Sequence, residues 1–574
     1  MTRESVCLDA EQEQAARVSP DGRQTVVAGP GAGKTEVVAE LVRHLVEDYE
    51  VYPEDLLVIS FSRAAVHAIR RRMSTASELG HLVDVRTLDS LAALIVADLT
   101  GEQTPLRGYD ATVEAAIRAM QDSDGPVMPD VEHVIVDEAQ DVVGLRAAFV
   151  ATLLDRGLSA KCGYTVLGDP AQALYNFSEN GKSQPLIEIM LSAPVEHVEL
   201  RHHYRARGRA ARRHLDVRAL MGAASPLEQR LALLEIVADL PDLGGAEGIA
   251  RPLERWGGTT AVLTRTNAQA LDVAGALRGQ GVAVSVQRSS SEDSVGAWLG
   301  LALGARAEAQ VDKETFAAEL RNAPDAPGVD DVWPLLRHLS GSRGRTLDTR
   351  ALAAALASRR PPRAIIAAPQ TPLVVSTVHR AKGLEFDNVV LIDPEDWLVN
   401  MDDVSEELRV LYVALSRARD RIALGSHETD RQWRRDKRID RWFKQGFRQW
   451  QTFGVELRGS DTRALGPVDR ELTPLIGRAV QWHLTDRNGH PTYEASIDGR
   501  VVAVTSYGFI GDLQRRLAPR DCQPSRWPTL RGGHLEGLET LADPGRRSTH
   551  WPHGLWPSAR ITGLVEFDWK EVVP

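Results

Sequence analysis

Cysteine is scarce in this chain of 574 residues: Cys7, Cys162 and Cys522 lie far apart and show no metal-ligand spacing. That argues against a zinc framework or a disulfide scaffold and for a reducing compartment. No apolar run approaches the roughly 20 residues needed to span a bilayer. The opening MTRESVCLDAEQEQ is polar and acidic, so it reads as neither a signal peptide nor an anchor, and a cytoplasmic chain without membrane partners is expected. Cationic excess is missing too: 68 Lys and Arg stand against 79 Asp and Glu, a net charge of −11. Any nucleic-acid surface must therefore be local. Internal repeats and low-complexity segments are also missing. What remains, 43% hydrophobic and 26% charged residues, suits about three or four folded domains.

The strongest positive signal is QTVVAGPGAGKTEVVAELV, residues 24–42, which reads as a buried strand, a Gly-rich loop and a helix in succession. Backbone N–H groups across residues 29–33, including Gly29, Gly31 and Gly33, can face a polyphosphate, and the helix N-terminus adds partial positive charge. Lys34 would reach the β/γ-phosphates and Thr35 would ligate Mg²⁺. Val37, Val38, Leu41, Val42 and Leu45 recur at helical spacing and would pack on the parent sheet. Ala28 fills the first Gly place of GxxxxGK[ST]; the strand–loop–helix context outweighs an ordinary Gly-rich turn.

Other stretches carry chemistry at strand ends. VEHVIVDEAQD is a short apolar strand that discharges acids where ligands of parallel sheets bind: Asp137 would hold Mg²⁺, and Glu138 would polarise the attacking water. YTVLGDPAQALYNF places Gln172 to sense a γ-phosphate, while Tyr175 and Phe177 are either base-stacking or core aromatics. Gln12 in LDAEQEQA offers an amide that can donate to and accept from an adenine edge. The basic run Arg70, Arg71 and Arg72 ends a helix and reads first as a solvated face.

Taken together, LDAEQEQAA, AGPGAGKT, ISFSRAA, VDEAQD, GDPAQALYNF, LRHHYRA, VLTRTNAQAL, STVHRAKGLEFDNV and ELRVLYVALSRARD stand in the order of the UvrD/Rep family of superfamily 1 helicases, which the sequence resembles from about residue 8 to about 424. The resemblance implies an α/β fold of two RecA-like parallel-sheet motor domains, ATP with Mg²⁺, and single-stranded DNA or a single/double-strand junction as partner. It implies that Gln12 reads adenine, Tyr204 stacks on the base and Glu385, in the RAKGLEF block with Gly383, contacts ribose. Arg205 and Arg417 would clamp the γ-phosphate, a task suited to planar, permanently charged donors. Phe61, Tyr175, Phe177, Thr377 and His379 would touch the single strand. Three departures, Arg63-Ala64, Thr87-Leu88-Asp89 and Phe177-Ser178, fall on the DNA side, and the acid at Asp89 is expected to repel phosphate.

The expected domains are a first motor domain over 1–194 with a small insertion near 95–130, and a second over 195–430 with a small helical insertion near 290–370. The strands expected in the second begin with HVEL. Residues 431–459 interleave Arg and Lys with Trp and Phe, which suits single-strand binding, but Ile439, Trp442, Phe443, Phe447 and Trp450 also recur at helical spacing, so the stretch reads first as a docking helix. Residues 460–574 read as a β-rich accessory module with turns at Asn488-Gly489 and Asp498-Gly499, a surface for a protein partner. The function expected is a translocating, DNA-dependent ATPase with 3′ to 5′ helicase activity. The rival reading is an ATP-gated sensor or regulatory subunit of a partner nuclease.

Overall fold

The computed structural model describes residues 8–60, 66, 69–70, 72–73, 79–100, 109–174, 184–253, 255–287, 294–323, 325–342, 344–358, 361–362, 365–366, 371–398, 404–428, 432–436, 441–445, 452–463, 470–487, 489–512, 527–545 and 550–573. Packing gathers the chain into two units. The first holds Met1–Pro241, Ala381–Val389 and Pro394–Ala423, and the second holds Asp242–Arg380, Val390–Asp393 and Leu424–Pro574. Among the described residues no helix is long and apolar enough to cross a membrane.

The first unit is built on six strands, β1 (Arg23–Ala28), β2 (Leu56–Ser60), β3 (Asp84–Thr87), β4 (His133–Asp137), β5 (Gly163–Gly168) and β6 (Glu196–Leu200), ordered β3-β2-β4-β5-β1-β6. Every pairing is parallel. β2, β4 and β5 are buried along their whole length, as strands covered by helices on both faces must be. The helix Lys34–Glu47 presents Val37, Val38, Leu41, Val42 and Leu45 to Val26, Leu56 and Val58 of the sheet, the stripe expected from the sequence. A second apolar cluster joins Leu57, Val134 and Val136 to Leu91 and Ile95 of the helix Leu88–Thr100, Val113 and Met120 of the helix Tyr109–Asp122, and Phe149. Because the strands run parallel, the residues after Ala28, Val136 and Gly168 emerge at the same edge of the sheet.

HVEL was expected to open the second motor sheet. It is instead the last strand of the first, with Gln24 to Ala28 opposite Glu196 to Leu200. A short strand between two sheets in sequence carries no mark of which one it will join; the register with β1 decides.

The second unit contains β7 (Thr260–Thr264), β8 (Ser285–Val286), β9 (Val295–Gly296), β10 (Gln310–Asp312), β11 (Thr346–Asp348), β12 (Leu373–Thr377), and the ends of β13 (Phe386–Ile392) and β14 (Ala418–Gly425). Its α/β sheet is ordered β14-β13-β7-β12-β8, with β7 and β8 each parallel to β12. The insertion is helical, as expected: Ala297–Leu303, Lys313–Leu320, Val329–Ser340 and Thr349–Ser358 surround the antiparallel pair β10 and β11.

The C-terminal module is β-rich, also as expected. It comprises β15 (Trp433–Asp436), β16 (Arg441–Gln445), β17 (Thr452–Leu457), β18 (Thr462–Arg463), β19 (Gln481–Arg487), β20 (His490–Ile497), β21 (Arg500–Thr505), β22 (Trp527–Ala542) and β23 (Leu555–Val573). One sheet is ordered β15-β16-β17-β23-β22-β9 and the other β18-β21-β20-β19. The turn between β20 and β21 uses Asp498 and Gly499, both at positive φ, which suits a tight hairpin.

The docking helix is corrected. Its described residues form β15 and β16, paired antiparallel with Arg435 opposite Trp442. Phe443 packs inward on the module's core, and the Arg441 guanidinium lies over Phe509. Aromatic residues fit helix spacing and strand alternation equally well here, and the long β22–β23 hairpin, through β17, supplies the pairing that selects strand.

Insertion and module share a core. β9 pairs with β22, Leu555 of β23 packs among Leu299, Leu303, Phe316 and Leu336, and the helix Ala297–Leu303 brings Gly300 so close to Trp556 and Pro557 that a Cβ there would crowd their backbone. A chain ending after Gly459 is therefore expected to unfold at a lower temperature and less cooperatively, because it strips β17 of β23 and removes Leu555 from the insertion. Calorimetry showing the wild-type transition would contradict the shared core.

Candidate functional site

The phosphate loop folds as its sequence requires. Gly31 and Gly33 have φ of +74° and +85°, and Gly33 caps the helix Lys34–Glu47 in the left-handed conformation. Side chains crowd three of its glycines: a Cβ on Gly29 would meet Arg218 and His203, one on Gly31 would meet Arg205, and one on Gly33 would meet Gln12. The segment after β6 clasps the loop residue by residue. A His203 ring nitrogen lies 3.1 Å from the Pro30 carbonyl, and the Tyr204 N–H donates to the Gly31 carbonyl at 2.9 Å. The buried Gln12 side chain donates to the Ala32 carbonyl at 2.9 Å.

Two acids follow β4. Asp137 is buried, and its Oδ1 has no hydrogen-bond partner. Burial, then the charge of Glu138, pushes its pKa above the ordinary carboxylate range. Glu138, at φ +54°, ion-pairs with Lys34 at 3.4 Å and accepts from the Gln140 amide. Burial alone would raise its pKa; the Lys34 ammonium and the Gln140 hydrogen bond outweigh that and hold it below the ordinary value. The fit to a hard cation is good at one point: Asp137 offers a buried carboxylate oxygen with nothing attached, beside the helix that carries Thr35. Among the described residues no group of three or more His, Cys, Asp or Glu side chains forms a cation cage, so such an ion would depend on phosphate oxygens as well.

The arginines meet these groups within the first unit, although the sequence boundaries placed Arg205, Glu385 and Arg417 in the second motor domain. Arg417 is buried; its Nη2 donates to Gln172 Oε1 at 2.9 Å and to Ser416 Oγ at 2.8 Å, and its Nε to the Val413 carbonyl at 3.0 Å. Burial, and then the neighbouring Arg205 charge, lowers its pKa to about 10, still fully protonated at neutral pH. Arg205 ion-pairs with Glu385, which also accepts from Arg419 at 2.8 and 3.1 Å. Arg207 fastens the two arginine-bearing segments: its fork grips Asp420 with two bonds of 2.8 Å, and its N–H donates to the Arg419 carbonyl at 2.6 Å.

Several participants escaped the sequence reading. The Asp169 carboxylate accepts from the Gln172 amide at 2.7 Å and lies 3.7 Å from Arg218, so it aims Gln172 at Arg417. The Gln140 side-chain Oε1 accepts from the Asp169 N–H at 3.0 Å, which ties the two acid-bearing strand ends together. Lys382 ion-pairs with the buried Asp141 and donates to the Gln172 carbonyl at 2.6 Å. Burial, opposed by Lys382, raises the Asp141 pKa to about 6. Asp141 and Lys382 lie inside VDEAQD and RAKGLEF, so a buried charge in each motif was the available signal; Arg218 had none. Gly383, exposed and at φ +75°, leads from Lys382 to Glu385.

Phe61, Tyr175 and Phe177 lie outside the described residues. Thr377 is buried at the end of β12 in the second unit, and His379 follows in the short helix Val378–Ala381. This turn is braced by Gln287, whose amide donates to the Arg380 carbonyl at 3.0 Å and whose side-chain carbonyl accepts from Ser376 at 2.9 Å. Asp89 corrects its expectation. Its carboxylate accepts from Arg146 at 2.9 and 3.2 Å, so a guanidinium already faces the acid that was to repel phosphate. Of the basic run, Arg70 donates to the Val85 carbonyl at 2.6 Å and Arg72 pairs with Glu36.

Comparison with known proteins adds two family matches: the UvrD/REP helicase N-terminal domain over residues 8–124 and the UvrD-like helicase C-terminal domain over residues 354–429. The chain is similar to the ATP-dependent DNA helicase SRS2 of Saccharomyces cerevisiae, 20% identical over 33% of this chain and 25% of that protein. It is similar to the ATP-dependent DNA helicase UvrD1 of Mycobacterium leprae, 26% identical over 34% of this chain and 20% of that protein. A third likeness is to the ATP-dependent DNA helicase PcrA of Leuconostoc citreum, 30% identical over 17% of this chain and 13% of that protein. The matches thus span a quarter or less of each relative's length.

Proposed function

We propose that this chain, which carries matches to the N-terminal and C-terminal domains of UvrD-like helicases, is an ATP-driven motor that binds single-stranded DNA and travels along it 3′ to 5′, with helicase activity. The observation that carries this reading is the run of contacts from Lys34 through Glu138, Gln140, Asp169 and Gln172 to Arg417, which starts at one edge of the first sheet, together with the Arg205–Glu385 ion pair, next to which Arg417 donates to the Leu384 carbonyl at 3.3 Å.

The substrate is ATP. Lys34 exchanges its Glu138 partner for the β/γ-phosphates, which frees Glu138 to orient and polarise the attacking water. Arg205 leaves Glu385 for the γ-phosphate, and Glu385 is released toward the ribose. Arg417, held by Gln172, stabilises charge that builds on the phosphoryl oxygens. Thr35 and Asp137 would hold Mg²⁺, which when bound supplies positive charge to the phosphate oxygens. Gln172 gathers these groups, since Asp169, Lys382 and Arg417 all touch it.

The insertions are small, with two helices near 95–130 and four near 290–370 among the described residues, so little protein is available to engage a duplex ahead of the motor. ATP hydrolysis is expected to be stimulated several-fold more by single-stranded than by duplex DNA, with poor unaided unwinding of long duplexes. A coupled ATPase assay and a strand-displacement gel check both parts. Equal stimulation by duplex, or unwinding of several hundred base pairs, would contradict this reading. Two sequence departures on the DNA side, Arg63-Ala64 and Phe177-Ser178, together with the small insertions, favour a second reading, an ATP-gated sensor or regulatory subunit of a nuclease, which predicts DNA-stimulated hydrolysis without travel.

A further inference from the structure

Asp9 lies three residues before Gln12 and bonds to Tyr204, the two residues to which the family resemblance gives the adenine base, and this inference rests on the proposed function. As N-cap of the helix Ala10–Ala16, its Oδ1 accepts from the Gln12 N–H at 2.8 Å, while its own N–H donates to Gln12 Oε1 at 3.2 Å. Its second oxygen accepts from the Tyr204 hydroxyl at 2.5 Å. Tyr204 is thereby held at its backbone, by its N–H on the Gly31 carbonyl, and at the tip of its ring, by its hydroxyl on Asp9. His202 lies against it, with ring centroids 5.1 Å apart and planes tilted by 40°. Tyr204 nevertheless stays 49% exposed. Gln12 has committed one amide N–H to Ala32 and one lone pair to Asp9, which leaves one donor and one acceptor of its four positions.

We propose that Asp9 is the positioning residue of the nucleobase site, holding Tyr204 as a shelf and Gln12 as a donor–acceptor edge for adenine before the nucleotide arrives. A hydroxyl bound to a carboxylate is a charge-assisted bond, stronger than a neutral one. Burial alone would raise the Asp9 pKa; the hydrogen bonds from Tyr204, Gln12 and Glu11 bring it below the ordinary carboxylate value, so the acceptor is ionised at neutral pH. A ring fixed in advance loses less freedom when a base stacks on it, so the benefit falls on binding rather than on the chemical step.

The test uses the full chain and two probes, ATP and inorganic tripolyphosphate, which has no base. Tyr204→Phe removes only the hydroxyl; it and Asp9→Ala should each raise KM for ATP about five- to tenfold, while kcat at saturation and Kd for tripolyphosphate change less than about twofold. Asp9→Asn keeps a cap and a carbonyl acceptor and should recover most of the loss. Asp9→Ala with Tyr204→Phe should be no worse than Asp9→Ala alone. An unchanged KM in Tyr204→Phe, additive losses in the double variant, or an equal loss of tripolyphosphate binding would overturn the role. Wild-type protein that binds neither probe would overturn the proposed function, and this inference with it.

Discussion

Glu138→Gln is expected to lower steady-state ATP turnover by about 10²-fold or more while ATP still binds. The side chain keeps its shape and loses its charge. In the folded chain that charge is paired 3.4 Å from Lys34 and bonded by the Gln140 amide, and these partners keep the carboxyl ionised across the neutral range despite its burial. An amide cannot take up a proton from water in the same way, so the loss falls on kcat. Binding should survive, because Lys34 gives up its internal partner and remains available to phosphate. Lys34→Ala should differ in kind: it removes the cation itself, so both kcat and affinity fall. Turnover near wild type in Glu138→Gln, measured at saturating ATP and single-stranded DNA, would remove Glu138 from its role.

Arg417→Ala should lower kcat by a similar factor, again about 10²-fold or more, and Arg417→Lys should restore little. The guanidinium is held by Gln172, Ser416 and the Val413 carbonyl, a fan of donors that an ammonium cannot reproduce. Burial lowers its pKa only to about 10, so charge is present at every physiological pH. Gln172→Ala should act in the same direction, and the double variant should cost less than the sum, because Gln172 Oε1 is what aims Arg417. Circular dichroism must show folded protein, since the alanine leaves buried carbonyl oxygens without a donor. Full activity of the lysine variant would mean that charge alone, without the fork, is what the site needs.

Much of this site was legible because its determinants are local. A strand, glycines and Lys-Thr at a helix start specify the phosphate loop within a dozen residues, and acids at strand ends point to the same sheet edge. Assembly across long separations was not legible. Tyr204 and Asp9 are 195 residues apart, and neither side chain signals the other. Arg218 lies on an ordinary surface-like stretch and finds Asp169 only through the fold. The strand HVEL and the basic-aromatic residues after 430 were misread for a shared reason: their periodicity was compatible with two outcomes, and pairing with β1 in one case and with the β16–β17–β23 sheet in the other made the choice. Asp89 was read as a bare charge because its partner, Arg146, is 57 residues away.

The central claim is that hydrolysis drives directed movement along one strand, and displacement of streptavidin from end-biotinylated single-stranded DNA tests it most directly. With ATP present, streptavidin should leave a 5′-biotinylated strand much faster than a 3′-biotinylated one, and Glu138→Gln should abolish the difference. DNA-stimulated hydrolysis with no displacement from either end would contradict the motor and leave the chain an ATP-gated sensor.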